Sequence, residues 1–138
     1  MKVFVVFLLF GIVPFGTPTN FKAWGDLACY QGGTWCFYAE LIERDHFFKD
    51  DLLDHMGVRC TTSAVHPFVL AGQEDGDEPF HKFYTISVIV KHNCTKWGTI
   101  KAVEKIPKYY PVGEGTVELN DLDMDLTMAR GVFTDTYF

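Results

Sequence analysis

Between residues 83 and 92 the side chains alternate in a way that suits a pleated strand. Tyr84, Ile86, Val88 and Val90 point one way, and Thr85, Ser87 and Lys91 point the other. A period of two puts successive side chains on opposite faces of an extended backbone, whereas a helix needs a period near 3.6. The β-branched residues in this run fit a pleated surface well. Residues 37–44 repeat the pattern, with Phe37, Ala39 and Leu41 against Tyr38, Glu40 and Arg44. A third strand is predicted over 99–106, with Ile100 and Ala102 on one face. Val103 and Ile106 then fall out of phase, which predicts a β-bulge near Glu104 and Lys105. Pro107 is expected to end the strand, because proline cannot donate to a ladder.

Weaker strands are predicted over 22–30, 58–62, 68–71 and 115–119. Gly32-Gly33, Gly72, Asp75-Gly76, Pro79, Pro111 and Gly113 mark the turns. The one helical hint covers 48–55, where Asp50-Asp51 precedes Leu52-Leu53, and amounts to one short helix at most. About seven short strands with turn signals between them predict an all-β chain folded as an antiparallel sandwich. The sequence has no internal repeat, no heptad and no low-complexity linker.

The first residues bear on compartment. Met1-Lys2 gives a positive start, and residues 3–13 are apolar apart from Gly11. Pro14 breaks the run, and Gly16, Thr17 and Thr19 follow. This is the pattern of a secretory signal peptide, and it is too short to span a bilayer, which takes about 20 apolar residues. We expect residues 1–19 to be the signal peptide, with cleavage between Thr17 and Trp24, and 20–138 to be one domain. The mature chain is then expected to be released, with no transmembrane segment. The whole chain carries 12 basic and 18 acidic residues, a net charge of −6. That sign argues against a nucleic-acid partner, which needs clustered Lys and Arg. It argues equally against simple electrostatic docking on anionic lipid.

Four cysteines, Cys29, Cys36, Cys60 and Cys94, in a short exported chain read as two disulfides. No C-x-x-C pair exists, and His46, His55, His66, His81 and His92 lack ligand spacing, so no metal is expected and each histidine reads as a surface or turn residue. Geometry narrows the three possible pairings. If strands 37–44 and 58–62 flank a turn at the acidic Asp50–Asp54 run, the hairpin is centred near residue 48 and sets Cys36 across from Cys60. Cys29 and Cys94 each close a strand and are left to bridge the sandwich.

Several motifs resemble, in order, those of the transthyretin-like family of secreted nematode proteins. They are Leu27-Ala-Cys29, then Phe37-x-Ala-x-Leu-x-Glu-x-Asp45, then Asp50-Asp-Leu-Leu-Asp54. Val90-Lys-His-Asn-Cys94 is similar to the family's I-x-H-D-C, Ile106-Pro-Lys-Tyr-Tyr110 to its I-P-x-x-Y, and Gly115-Thr-Val-Glu-Leu119 to its G-T-[IL]-x-L. Together they cover residues 24–120. The chain departs from the pattern at residues 61–68, where the turn glycine is missing, at Asn93 in place of aspartate, and in the acidic tail after Leu119. The resemblance implies a transthyretin-type, immunoglobulin-like sandwich and an extracellular binding or bridging role, in one member through phosphatidylserine in apoptotic cell recognition.

The fold's enzymatic relatives hydrolyse 5-hydroxyisourate and resemble one another in an early histidine and a terminal Y-R-G-S. This chain has neither, so no catalytic residue is expected. Ser63 and Ser87 sit in no nucleophile elbow, and no glycine loop cradles phosphate, so no cofactor is expected. Asp121-x-Asp123-x-Asp125 copies the start of a calcium loop, but Leu126 and Val132 stand where glycine and glutamate are required, which excludes an EF-hand. Three carboxylates along one side could still share a cation weakly. Glu74-Asp75-Gly76-Asp77-Glu78 reads as a solvated turn. Asn93-Cys94-Thr95 is the one N-glycosylation sequon. The expected function is non-catalytic recognition of an extracellular protein or cell-surface ligand by a monomer or dimer, the alternative being a carrier of a small apolar ligand.

Overall fold

The computed structural model describes residues 17–46, 48–75, 82–113, 115–135 and 138. Most of the expected signal peptide therefore lies outside the described residues, as do Gly76, Pro79, His81 and much of the 74–78 acidic run. Nine strands are present and no helix among the described residues. They are β1 (Thr19–Ala28), β2 (Trp35–Glu43), β3 (Asp51–Thr61), β4 (Val65–Glu74), β5 (Phe83–His92), β6 (Lys101–Pro111), β7 (Thr116–Leu119), β8 (Met124–Asp125) and β9 (Val132–Phe133). One sheet runs β3-β2-β5-β6-β9, and the other runs β4-β1-β7 with β8 also on β1. The two pack face to face as a β-sandwich.

The alternation works as expected on the inner faces. From the larger sheet, Trp35, Phe37, Ala39 and Leu41 meet Tyr84, Ile86, Val88 and Val90. From the smaller sheet, Phe21, Ala23, Leu27, Phe68 and Leu70 close over them. Phe21 lies edge-on to Tyr84 with centroids 5.6 Å apart, a favoured aromatic geometry. Removing one such buried ring, as in Phe37→Ala, costs about 3–5 kcal/mol.

Several expectations need correction. Gly72, read as a turn marker, lies inside β4 opposite Phe21. Residues 51–55 form strand rather than a turn or helical turn, because β2 offers them a ladder: Asp51 faces Glu43 and His55 faces Glu40. The turn falls at 44–50 instead, held by Asp45 and Asp50, which accept the amides of Phe48 and Asp45 respectively. The β6 irregularity lies further on than expected, opposite the Ile86–Val88 step of β5. Pro107 therefore does not end the strand, since a bulge is where a ladder tolerates a missing N–H, and β6 continues to Pro111. Finally, β7 and β8 pair parallel to β1. The chain leaves β6 at the end where β1 begins, so β7 can only run alongside β1 in the same direction.

The acidic tail also belongs to the core. Leu122, Met124 and Leu126 are buried while Asp121, Asp123 and Asp125 face outward. Gly25 allows this crossing, since a Cβ there would stand 2.8 Å from the Leu122 backbone.

Candidate functional site

β1, β3 and β5 all finish at one end of the sandwich, and β2, β4 and β6 begin there. Both disulfides lie at this end: Cys29 is bonded to Cys94, and Cys36 to Cys60. The register sets Cys36 opposite Cys60 on neighbouring strands, while Cys29–Cys94 crosses from one sheet to the other.

Hydrogen bonds tie the loops to this frame. The Cys29 amide donates to Ala64 O at 2.8 Å, and the Trp35 indole donates to Ser63 O at 2.8 Å. The Tyr30 amide donates to Thr127 Oγ1 at 2.8 Å. Asn93 Oδ1 accepts the Cys36 amide at 2.7 Å, and the Asn93 amide donates back to Cys36 O at 3.1 Å. The sequon asparagine is thus half-buried and spends its side-chain oxygen on the fold. The 61–68 loop, despite its missing glycine, closes through the Ser63 amide on Thr61 Oγ1 and the Ser63 hydroxyl on Val65 O.

His92 is the titratable group that sequence reasoning misplaced. It is fully buried rather than at the surface. Its Nδ1 accepts the Cys94 amide at 3.1 Å, and Nε2 has no partner among the described residues. Burial, helped by the charge of Lys101, lowers its pKa to about 4. The ring is therefore neutral at pH 7 and holds the turn into Cys94. Its inward phase on β5 was the available signal: 84, 86, 88 and 90 lead to 92. His46 and His55 are exposed and His66 is half-exposed, packed against Phe37.

Around this rigid frame the chain exposes large apolar groups. Trp97 is 80% accessible, Met128 79%, Val132 75%, and Tyr30 and Phe133 64% each. Trp97 tops a tight turn in which the Gly98 amide donates to Thr95 O, and the Thr95 hydroxyl donates to Thr99 O. Gly98 takes a φ of 69°, where a side chain would be strained. Phe133 arrives on β9, which pairs with β6 through Lys101 and Ala102. Trp97, Ile100 and Phe133, with Thr99, Thr134 and Asp135, line an open cleft of about 670 Å³. Lys96 Nζ lies 4.9 Å from the Trp97 ring and Lys101 Nζ 5.4 Å from that of Phe133. Neither β8 nor β9 was anticipated from the sequence, although Leu122, Met124 and Leu126 carried the period of two.

The candidate cation ligands do not converge. Asp123 Oδ1 accepts the Asp26 amide and Asp125 Oδ1 the Thr127 amide. No group of three His, Cys, Asp or Glu among the described residues is placed to hold a metal ion. Likewise, no helix among them is long and apolar enough to cross a membrane.

The class defined by these features is an all-β sandwich with two disulfides and an aromatic loop end. Residues 25–126 match the model of a family described as "Caenorhabditis elegans protein of unknown function (DUF870)". The match takes in most of the chain and all four cysteines, and the chain belongs to that family. No curated protein and no solved structure matches it.

Proposed function

We propose that this chain is a secreted, transthyretin-like binding module, non-catalytic, whose disulfide-braced loop end recognises an extracellular protein or cell-surface ligand. The supporting observation is the exposure of Trp97, Phe133, Met128, Val132 and Tyr30 at the end where both disulfides sit. Exposed apolar groups collected at one end of a scaffold mark interaction sites, and ordered loops on a rigid scaffold are where recognition is usually carried. Holding these side chains in place before contact lowers the ordering cost of binding. The carrier alternative would need a tetramer with an apolar channel between its subunits, because within one chain the space between the sheets is filled by Phe21, Phe37, Phe68 and their neighbours.

The test is binding of labelled mature protein to intact cells. Trp97→Ser with Phe133→Ser should cut binding about tenfold or more, while Val69→Ser, on an exposed site of β4, should not. Equal binding by all forms would reject the surface. Turnover of hydroxyisourate by the purified protein would reject the non-catalytic reading.

A further inference from the structure

The aromatic cleft restricts the chemistry of what it can hold. Its lining includes Trp97 and Phe133, both well exposed, together with the acidic and exposed Asp135. Asp135 has no partner among the described residues and can accept two or more hydrogen bonds. The turn carrying Trp97 is pinned by Thr95 and follows directly on the Cys29–Cys94 bond, so the indole is presented on a fixed support.

Four ligand classes fit this cleft badly. A small apolar molecule needs enclosure on most sides, and the cleft is open. A quaternary ammonium would be repelled by the charges of Lys96 and Lys101, which lie beside the Trp97 and Phe133 rings. A polyanion would gain from those two lysines but meet Asp135 and a molecule of net charge −6. An apolar protein side chain would cover the rings but give Asp135 no hydrogen-bond donor. A neutral sugar satisfies all these conditions. Its C–H face stacks on an aromatic ring, its hydroxyl edge donates to a carboxylate, and it carries no charge.

We propose that the cleft lined by Trp97, Phe133, Thr99 and Asp135 is a site for neutral glycans of cell surfaces. The proposal rests on the binding reading above and names the ligand class for the same end of the molecule. Part of the site, Phe133 and Asp135, lies beyond the 25–126 family match.

The test uses the oxidised mature chain on an array of neutral oligosaccharides (high-mannose, N-acetyllactosamine and β-linked N-acetylglucosamine chains) beside heparin fragments. At least one neutral class should bind. Trp97→Ala and Asp135→Asn should each weaken it about tenfold, Trp97→Phe should restore part of the loss, and heparin should bind no better than the neutral chains. Binding to neutral chains should also change the fluorescence of the wild type and not of Trp97→Phe. An array with no neutral binder, or one whose binding survives Trp97→Ala, overturns the proposal. Cell binding before and after enzymatic removal of surface glycans separates the two readings. Binding that persists after removal, yet is lost on Trp97→Ser with Phe133→Ser, rejects the glycan and leaves the binding module standing. Binding that ignores both treatments rejects both.

Discussion

A single imidazole links the acid stability of this protein to the geometry of its loop end. His92 has an ordinary pKa of 6.5, and burial chiefly, with the Lys101 charge, lowers it to about 4 in the folded chain. Between those values the unfolded chain takes up a proton that the native state refuses. The contribution of His92 is therefore intact above pH 6.5 and is lost as pH falls towards 4. A shift of this size corresponds to about 3 kcal/mol. Urea unfolding at pH 7 and pH 4.5 should show most of that loss in the wild type. His92→Gln, which cannot titrate, should show a drop smaller by about 2–3 kcal/mol, and an unchanged drop would place the acid sensitivity elsewhere. One residue further along, Asn93 Oδ1 accepts the Cys36 amide, part-buried. Asn93→Asp keeps an acceptor and should be tolerated, whereas Asn93→Ala should cost about 1–2 kcal/mol by orphaning that amide. On the export reading, the protein should still have the mass of an unglycosylated chain, because the Asn93 side-chain oxygen is held by the fold and its neighbour Cys94 is bonded to Cys29.

At the level of strands, the β2–β3 hairpin shows how far register can be read and where it slips. Trp35 faces Thr61, Cys36 faces Cys60 and Phe37 faces Arg59, as a hairpin centred near residue 48 requires. Shifts between Phe37 and Ala39 and between Leu41 and Ile42 then displace the remaining pairs, ending with Glu43 opposite Asp51. Bulges of this kind leave little trace in the hydrophobic pattern, because β3 is an edge strand with most of its side chains in solvent. The two disulfides close spans of different length, 65 and 24 residues. On the loop-entropy model, replacing Cys29 and Cys94 together by alanine should cost about 4 kcal/mol, and Cys36 with Cys60 about 3 kcal/mol. Chemical denaturation of the two double variants would show whether the longer closure is the stronger support. A tighter constraint lies between β3 and β4, where a Cβ on Gly72 would stand 2.6 Å from Leu53 Cβ. Gly72→Ala must push the two edge strands apart and should cost about 1–3 kcal/mol, while Gly57→Ala, with open space around it, should be nearly neutral on that account.

For the whole molecule, the position of β1 sets a limit on any processing. Thr19 is fully buried, pairs with Glu74 and accepts the Gly113 amide at 3.0 Å. Thr19, expected from the sequence to be the last residue of the signal peptide, is instead the first residue of β1, so on the export reading the mature chain should begin at or before Thr19, and mass analysis of its N-terminus would show this. A start near Trp24 would delete half of β1, and with it half of the ladder to β4 and the whole ladder to β7. Size-exclusion chromatography should find a monomer or dimer, and a tetramer would revive the carrier reading. What the sequence determined by itself was the strand character, the inward faces of β2 and β5, and the register at the Cys36 end of the hairpin. All three follow from local alternation and short-range pairing, which a chain carries in its order of residues. Only the tertiary structure decided that residues 51–55 extend β3, that the acidic tail packs Leu122, Met124 and Leu126 into the core, and that His92 lies buried beside Cys94. It alone brought Trp97 and Phe133 into one cleft. These depend on which distant segments meet, and a period of two says which side of a strand is apolar but not what will cover it.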